Sequence, residues 1–117
     1  MEILQKVLKI KNLNYIKMSN FIEPVIDLGN VRPGKVVETI FTTNSEEITI
    51  VAVLTTCHCI KPIYKKNDTS VKVKYTIPSI PMHLAQLGVR TLPQEKKITA
   101  TLSNGVVEEL KFKYVII

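Results

Sequence analysis

A chain of 117 residues, 45% hydrophobic and 22% charged, has the size and balance of one globular domain with its own core. Aromatic residues are 6% and tryptophan is absent, so that core is built from Ile, Val and Leu, a bias that favours strands. The net charge of +6 suits an acidic partner. The lysines alternate with apolar residues, however, and no arginine-rich stretch or phosphate-cradling glycine loop accompanies them, so nucleic acid is not the expected partner. No apolar run approaches the roughly 20 residues that cross a bilayer, and the start carries no legible secretory signal. No membrane association is expected, and assembly in a cytoplasm is.

Residues 1–20 differ from the rest. Ile3, Leu4, Val7 and Leu8 fit one helical face, while Lys9-Ile10-Lys11 alternates like a strand, and both periods stay open. As an arm ahead of a compact domain the segment is a candidate contact element, with Val7, Leu8, Ile10 and Tyr15 as partner-binding residues. An ordinary first strand or frayed end is the alternative.

From Phe21 the punctuation becomes regular. Pro24 to Leu28 is a short strand closed by Gly29-Asn30, and Arg32-Pro33-Gly34-Lys35 has the residues of a type II turn. Val36 to Thr43 alternates, with Val37, Thr39 and Phe41 on one face. Ile48 to Cys59 follows as a long strand, with Ile48, Ile50, Ala52 and Leu54 on one face and Val51, Val53, Thr55, Cys57 and Cys59 on the other if no bulge intervenes. Val71 to Ile77 is the cleanest period-2 run, with Val71, Val73, Tyr75 and Ile77 facing the core. Residues 78–95 are irregular but apolar. Met82, Leu84 and Leu87 there are candidate partner-binding residues, unless the stretch folds back on the domain. Lys97 to Leu102 and Val106 to Val115 flank Ser103-Asn104-Gly105, a hairpin signal. The expectation is an all-β chain: residues 21–117 as an immunoglobulin-like β-sandwich of about seven strands, preceded by an N-terminal arm over residues 1–20.

Cys57-His58-Cys59 is the one local chemical motif. In an extended strand both sulfurs share a face and His58 points to the opposite one, which disfavours a Cys–His nucleophilic pair. As a disulfide the pair closes a tight, easily reduced ring; in a cytoplasm it stays reduced. As a metal site it offers two ligands, with His83 as a third candidate, short of a tetrahedral set. The leading expectation is plain packing near the end of the sandwich, with no metal and no cofactor. Glu46-Glu47 and Glu108-Glu109 are chain neighbours in a turn and a strand, poor acid/base pairs, and no nucleophile elbow or P-loop is present, so no enzymatic activity is expected.

The order Asp27-Leu28-Gly29-Asn30-Val31, Pro33-Gly34, Phe41, Asn44, Ile48-Thr49-Ile50 and Cys57-His58-Cys59-Ile60-Lys61-Pro62 resembles a bacterial immunoglobulin-like family of unknown function with a Cys-Gly-Cys-Thr-x-Pro motif. The likeness covers about residues 21–117 and is specific in its first half. His58 and Ile60 depart from the family's Gly and Thr. Family members look exported; signal-less, stand-alone copies resemble proteins of bacteriophages, whose immunoglobulin-like domains decorate virions. The resemblance implies a non-catalytic structural protein, an accessory (decoration) protein of a phage capsid located on the virion, with a capsid shell as partner. The alternatives are a bacterial cytoplasmic adaptor that binds a protein through a sheet edge, and a thiol or metal module centred on Cys57 and Cys59.

Overall fold

Period-2 alternation becomes two facing sheets in the computed structural model, which describes residues 19–117. The strands are β1 (Val25–Val31), β2 (Val36–Thr42), β3 (Ile50–Thr55), β4 (Ile60–Ile63), β5 (Ser70–Thr76), β6 (Leu92–Leu102) and β7 (Val107–Ile116), with a single helical turn, α1 (Met82–Gln86), between β5 and β6. One sheet has the order β1-β7-β6-β3, the other β2-β5-β4. Neighbours are antiparallel except β1 and β7, which run parallel. The third, sixth and seventh strands in one sheet and the second, fourth and fifth in the other make an immunoglobulin-like β-sandwich.

The core lies between the sheets. Val37 and Phe41 of β2, Val71, Val73 and Tyr75 of β5, and Ile77 just beyond it face Ile98, Ala100 and Leu102 of β6 and Leu110, Phe112, Tyr114 and Ile116 of β7. Tyr75 bridges the sheets, its ring 5.5 Å from Phe112 and 5.8 Å from Tyr114. Each large side chain buried this way stabilises the fold by about 1.5–3 kcal/mol relative to exposure.

Three expectations need correction. The segment 48–59 is not one strand: β3 ends at Thr55, and Cys57 and Cys59 sit in the turn leading to β4. The register shifts between Ile50 and Ala52, so a bulge at Val51 resets the alternation. Ile50 and Val53 therefore face the core, while Leu54 is exposed. Secondly, Gly29-Asn30 does not close the first strand. Gly29 (φ 72°) forms a bulge, donating its N–H to Asp27 Oδ1 at 2.9 Å, and β1 continues to Val31. Thirdly, β6 begins at Leu92 rather than Lys97, so the irregular stretch is shorter and holds α1. The turn at Pro33-Gly34 is as expected: Gly34 has φ 87°, and Lys35 N–H donates to Arg32 O at 3.3 Å.

How the chain enters the sandwich governs its edges. Asn44 N–H donates to Asn20 O and Ile22 N–H to Thr42 O, each at 2.9 Å, so residues 20–22 begin to pair antiparallel with the end of β2. In that register the next donor would be residue 24, opposite the carbonyl of Ile40. Residue 24 is proline, which has no N–H. The chain leaves β2 there, and Pro24 O accepts the Lys111 N–H at 2.9 Å in the other sheet. Glu108 anchors the entry, accepting the Asn20 backbone N–H at 3.0 Å and the Ser19 hydroxyl.

Among the described residues one buried side-chain polar atom has no partner. Thr39 is 4% exposed, faces inward from β2, and its Oγ1 makes no hydrogen bond. Thr39→Val keeps the shape and removes the orphan hydroxyl, so it raises unfolding stability by about 1–2 kcal/mol, measurable by urea titration.

Candidate functional site

Exposed surface is where a small sandwich meets partners, and its sheet edges are the most chemically insistent part, because they carry unpaired N–H and C=O groups. Three of the four edges are blunted. β1 carries the Gly29 bulge. β3 carries the Val51 bulge, and its Val53 N–H is capped by the Tyr64 hydroxyl at 3.1 Å. β4 has four residues, one of them Pro62. β2 is different: it pairs with β5 through seven consecutive residues without a register shift. Since the Thr42 carbonyl and Asn44 N–H point away from β5 to meet residues 20–22, alternation points the backbone groups of Ile40, Glu38 and Val36 the same way, with no strand beside them among the described residues.

The side chains around this open edge are apolar. Ile22, Ile40 and Val36 are 70%, 57% and 56% exposed. Glu38 is the one charged residue on β2, held across the sheet by Lys74 at 3.4 Å and Lys72 at 3.9 Å. Such exposed pairs stabilise little, but they leave the outer face of this sheet basic, with Lys61 on β4 beside Lys74.

The partner-binding residues expected in residues 1–18, namely Val7, Leu8, Ile10 and Tyr15, lie outside the described residues. Of the other three, Met82 and Leu87 are 75% and 79% exposed, whereas Leu84 turns toward a cavity of about 240 Å³ at the open end of the sandwich. Pro81, Leu92 and Ile116 wall that cavity, and Lys96 reaches over it with Nζ 5.7 Å from the Tyr75 ring. The stretch thus divides, part folded back and part exposed. Sequence alone does not find the β2 edge, because its openness depends on where the first strand goes; Pro24 was the signal that carried it.

Cys57 and Cys59 are joined by a disulfide. The turn brings the sulfurs together, where a strand would have held them apart along one face, and Cys57 packs against the core as expected of a small residue at that place. His58 is exposed between them, and His83 is exposed on α1. Among the described residues no group of three or more His, Cys, Asp or Glu side chains is arranged to hold a metal. Glu108 and Glu109 face opposite ways, one to Ser19 and Asn20, the other to Lys97 at 3.7 Å.

No known protein family and no curated protein matches this chain. Among solved structures it is similar to a Porphyromonas gingivalis protein of unknown function, with a TM-score of 0.48 and 11% identity over 92% of this chain and 53% of that one. It is also similar to the sialic acid binding region of a Streptococcus sanguinis adhesin bound to 3'sLn, with a TM-score of 0.45 and 14% identity over 94% of this chain and 30% of that one. The chain thus spans about half of the first structure and under a third of the second.

The cavity floor supplies a pH handle. Tyr114 donates its hydroxyl to the Tyr75 hydroxyl at 3.1 Å, and burial followed by that hydrogen bond pushes the Tyr114 phenol well above its ordinary value. The folded state therefore holds the Tyr114 proton more tightly than the unfolded chain. This contribution is fully present below about pH 10, the unfolded value, and is lost as pH rises through the folded value. Tyr114→Phe costs about 1 kcal/mol at neutral pH through the lost hydrogen bond and makes the decline in stability above about pH 10 shallower than in the parent, readable by denaturant titrations from pH 8 to 11.

Proposed function

We propose that the chain is a non-catalytic interaction module that docks on a protein partner by strand addition along β2. The open, uninterrupted edge from Val36 to Ile40 carries this reading: its outward amides and carbonyls supply main-chain hydrogen bonds, and the exposed Val36, Ile40 and Ile22 supply apolar contact. Lys72 and Lys74 on the neighbouring β5 favour an acidic segment. The fuller form of the reading is an accessory protein on a bacteriophage capsid, assembled in the host cytoplasm and carried on the virion. It is supported by the sequence resemblance.

Sedimentation of the native protein from its source, with mass spectrometry of what travels with it, tests the partner class. Co-migration with a particle rich in one coat protein is the expected outcome; a small complex with one cellular protein replaces the capsid with an adaptor role. The edge itself is tested by Ile40→Pro. Its N–H faces the open side, so a proline is tolerated by the β2–β5 ladder while it blocks an incoming strand. Partner capture falls at least about tenfold, the equivalent of one or two ladder bonds, while Ile40→Thr retains most of it and both variants stay folded.

A further inference from the structure

The turn between β3 and β4 has chemistry that docking through β2 does not use. We propose that Cys57 and Cys59 form a thiol–disulfide exchange site that reacts with accessible dithiols.

The bond is poorly placed to be a structural staple. It closes a sequence separation of only 2, so it constrains little of the unfolded chain. The turn is held without it: the Cys57 carbonyl accepts the Ile60 N–H at 3.2 Å and the Thr55 hydroxyl at 3.2 Å. Cys57 is half-buried and packs against the core whether or not its sulfur is bonded.

The two sulfurs are also unequal. Cys59 is exposed, and the exposed His58 leaves the turn open, so an incoming thiolate meets Cys59 Sγ first. Cys57 Sγ accepts the Cys59 backbone N–H at 3.2 Å, a hydrogen bond that stabilises negative charge on the departing sulfur. The exchange is balanced in two steps. A thiolate of the dithiol attacks Cys59 Sγ, forms a mixed disulfide and releases Cys57 as a thiolate. The second thiol of the reductant, deprotonated, then attacks its own sulfur in that mixed disulfide, forms the reductant's disulfide and releases Cys59. Two electrons pass to the cysteine pair, and the two protons lost by the dithiol are available to the new thiols. The reverse reaction oxidises a dithiol at the expense of the Cys57–Cys59 bond.

The full chain is equilibrated with graded ratios of reduced to oxidised glutathione at pH 7. Glutathione is a monothiol, so one molecule attacks Cys59 and a second resolves the mixed disulfide in place of the dithiol's two thiols. The samples are then quenched in acid and alkylated, and the redox state and adduct positions are read by mass spectrometry. The expected result is half-reduction within the range of the glutathione couple, with glutathione adducts on Cys59, and a thermal midpoint that moves by less than about 5 °C on full reduction. A pair that stays oxidised throughout the titration overturns the proposal. So does a midpoint that falls further than this, because the bond is then a staple, or adducts confined to Cys57. The double variant Cys57→Ser with Cys59→Ser gives the blank, and its partner capture stays at the parent level, since β2 and β4 lie at opposite edges of their sheet.

Discussion

A missing N–H at Pro24 determines where the first strand goes, and most of what is distinctive about this sandwich depends on that. With a donor at residue 24 the entering chain would continue along β2 and close that edge. Instead it crosses to the other sheet and runs parallel to β7, Val25 beside Lys111 and Val31 beside Ile116. The larger sheet gains a fourth strand, and the smaller one is left with a straight border of solvent-facing amides.

Charge follows the same division. On the outer face of the four-stranded sheet, signs alternate and neutralise locally: Glu95 meets Lys111 at 2.9 Å, and Glu109 meets Lys97. The hydrogen bond from Lys111 holds the Glu95 carboxyl below its ordinary value and raises the lysine correspondingly. Both groups are solvent-exposed, so the pair tidies the surface more than it stabilises the fold. The three-stranded sheet has a single carboxylate, Glu38, facing Lys61, Lys72 and Lys74. The outer face of this sheet therefore carries more positive than negative charge, its lysines on β5 and β4 and its carboxylate on β2.

Strand identity and facing were legible in the sequence wherever alternation ran unbroken. Val37, Thr39 and Phe41, and Val71, Val73, Tyr75 and Ile77, face inward as their period requires. Legibility failed at the two bulges, because a single extra residue at Val51 or Gly29 reverses or extends a strand without changing composition. It failed again at Cys57-His58-Cys59. The β-prone residues around the motif suggest a continuous strand, whereas the chain needs a turn there to pass from one sheet to the other. The apolar content of residues 78–95 left folding back and exposure equally open, because which leucine turns inward is set by tertiary packing: Leu84 lines the cavity and Leu87 does not.

The parallel pairing of β1 with β7 also fixes when this domain is able to fold. It joins the first of the seven described strands to the last, so the four-stranded sheet has no complete form until β7 has been synthesised. Before β5 and β7 are made, β1 and β2 are neighbours without their partners, and Pro24 withholds the hydrogen bond that would reward their premature association. The same residue that leaves an edge open in the finished molecule thus protects the nascent chain from closing the wrong one.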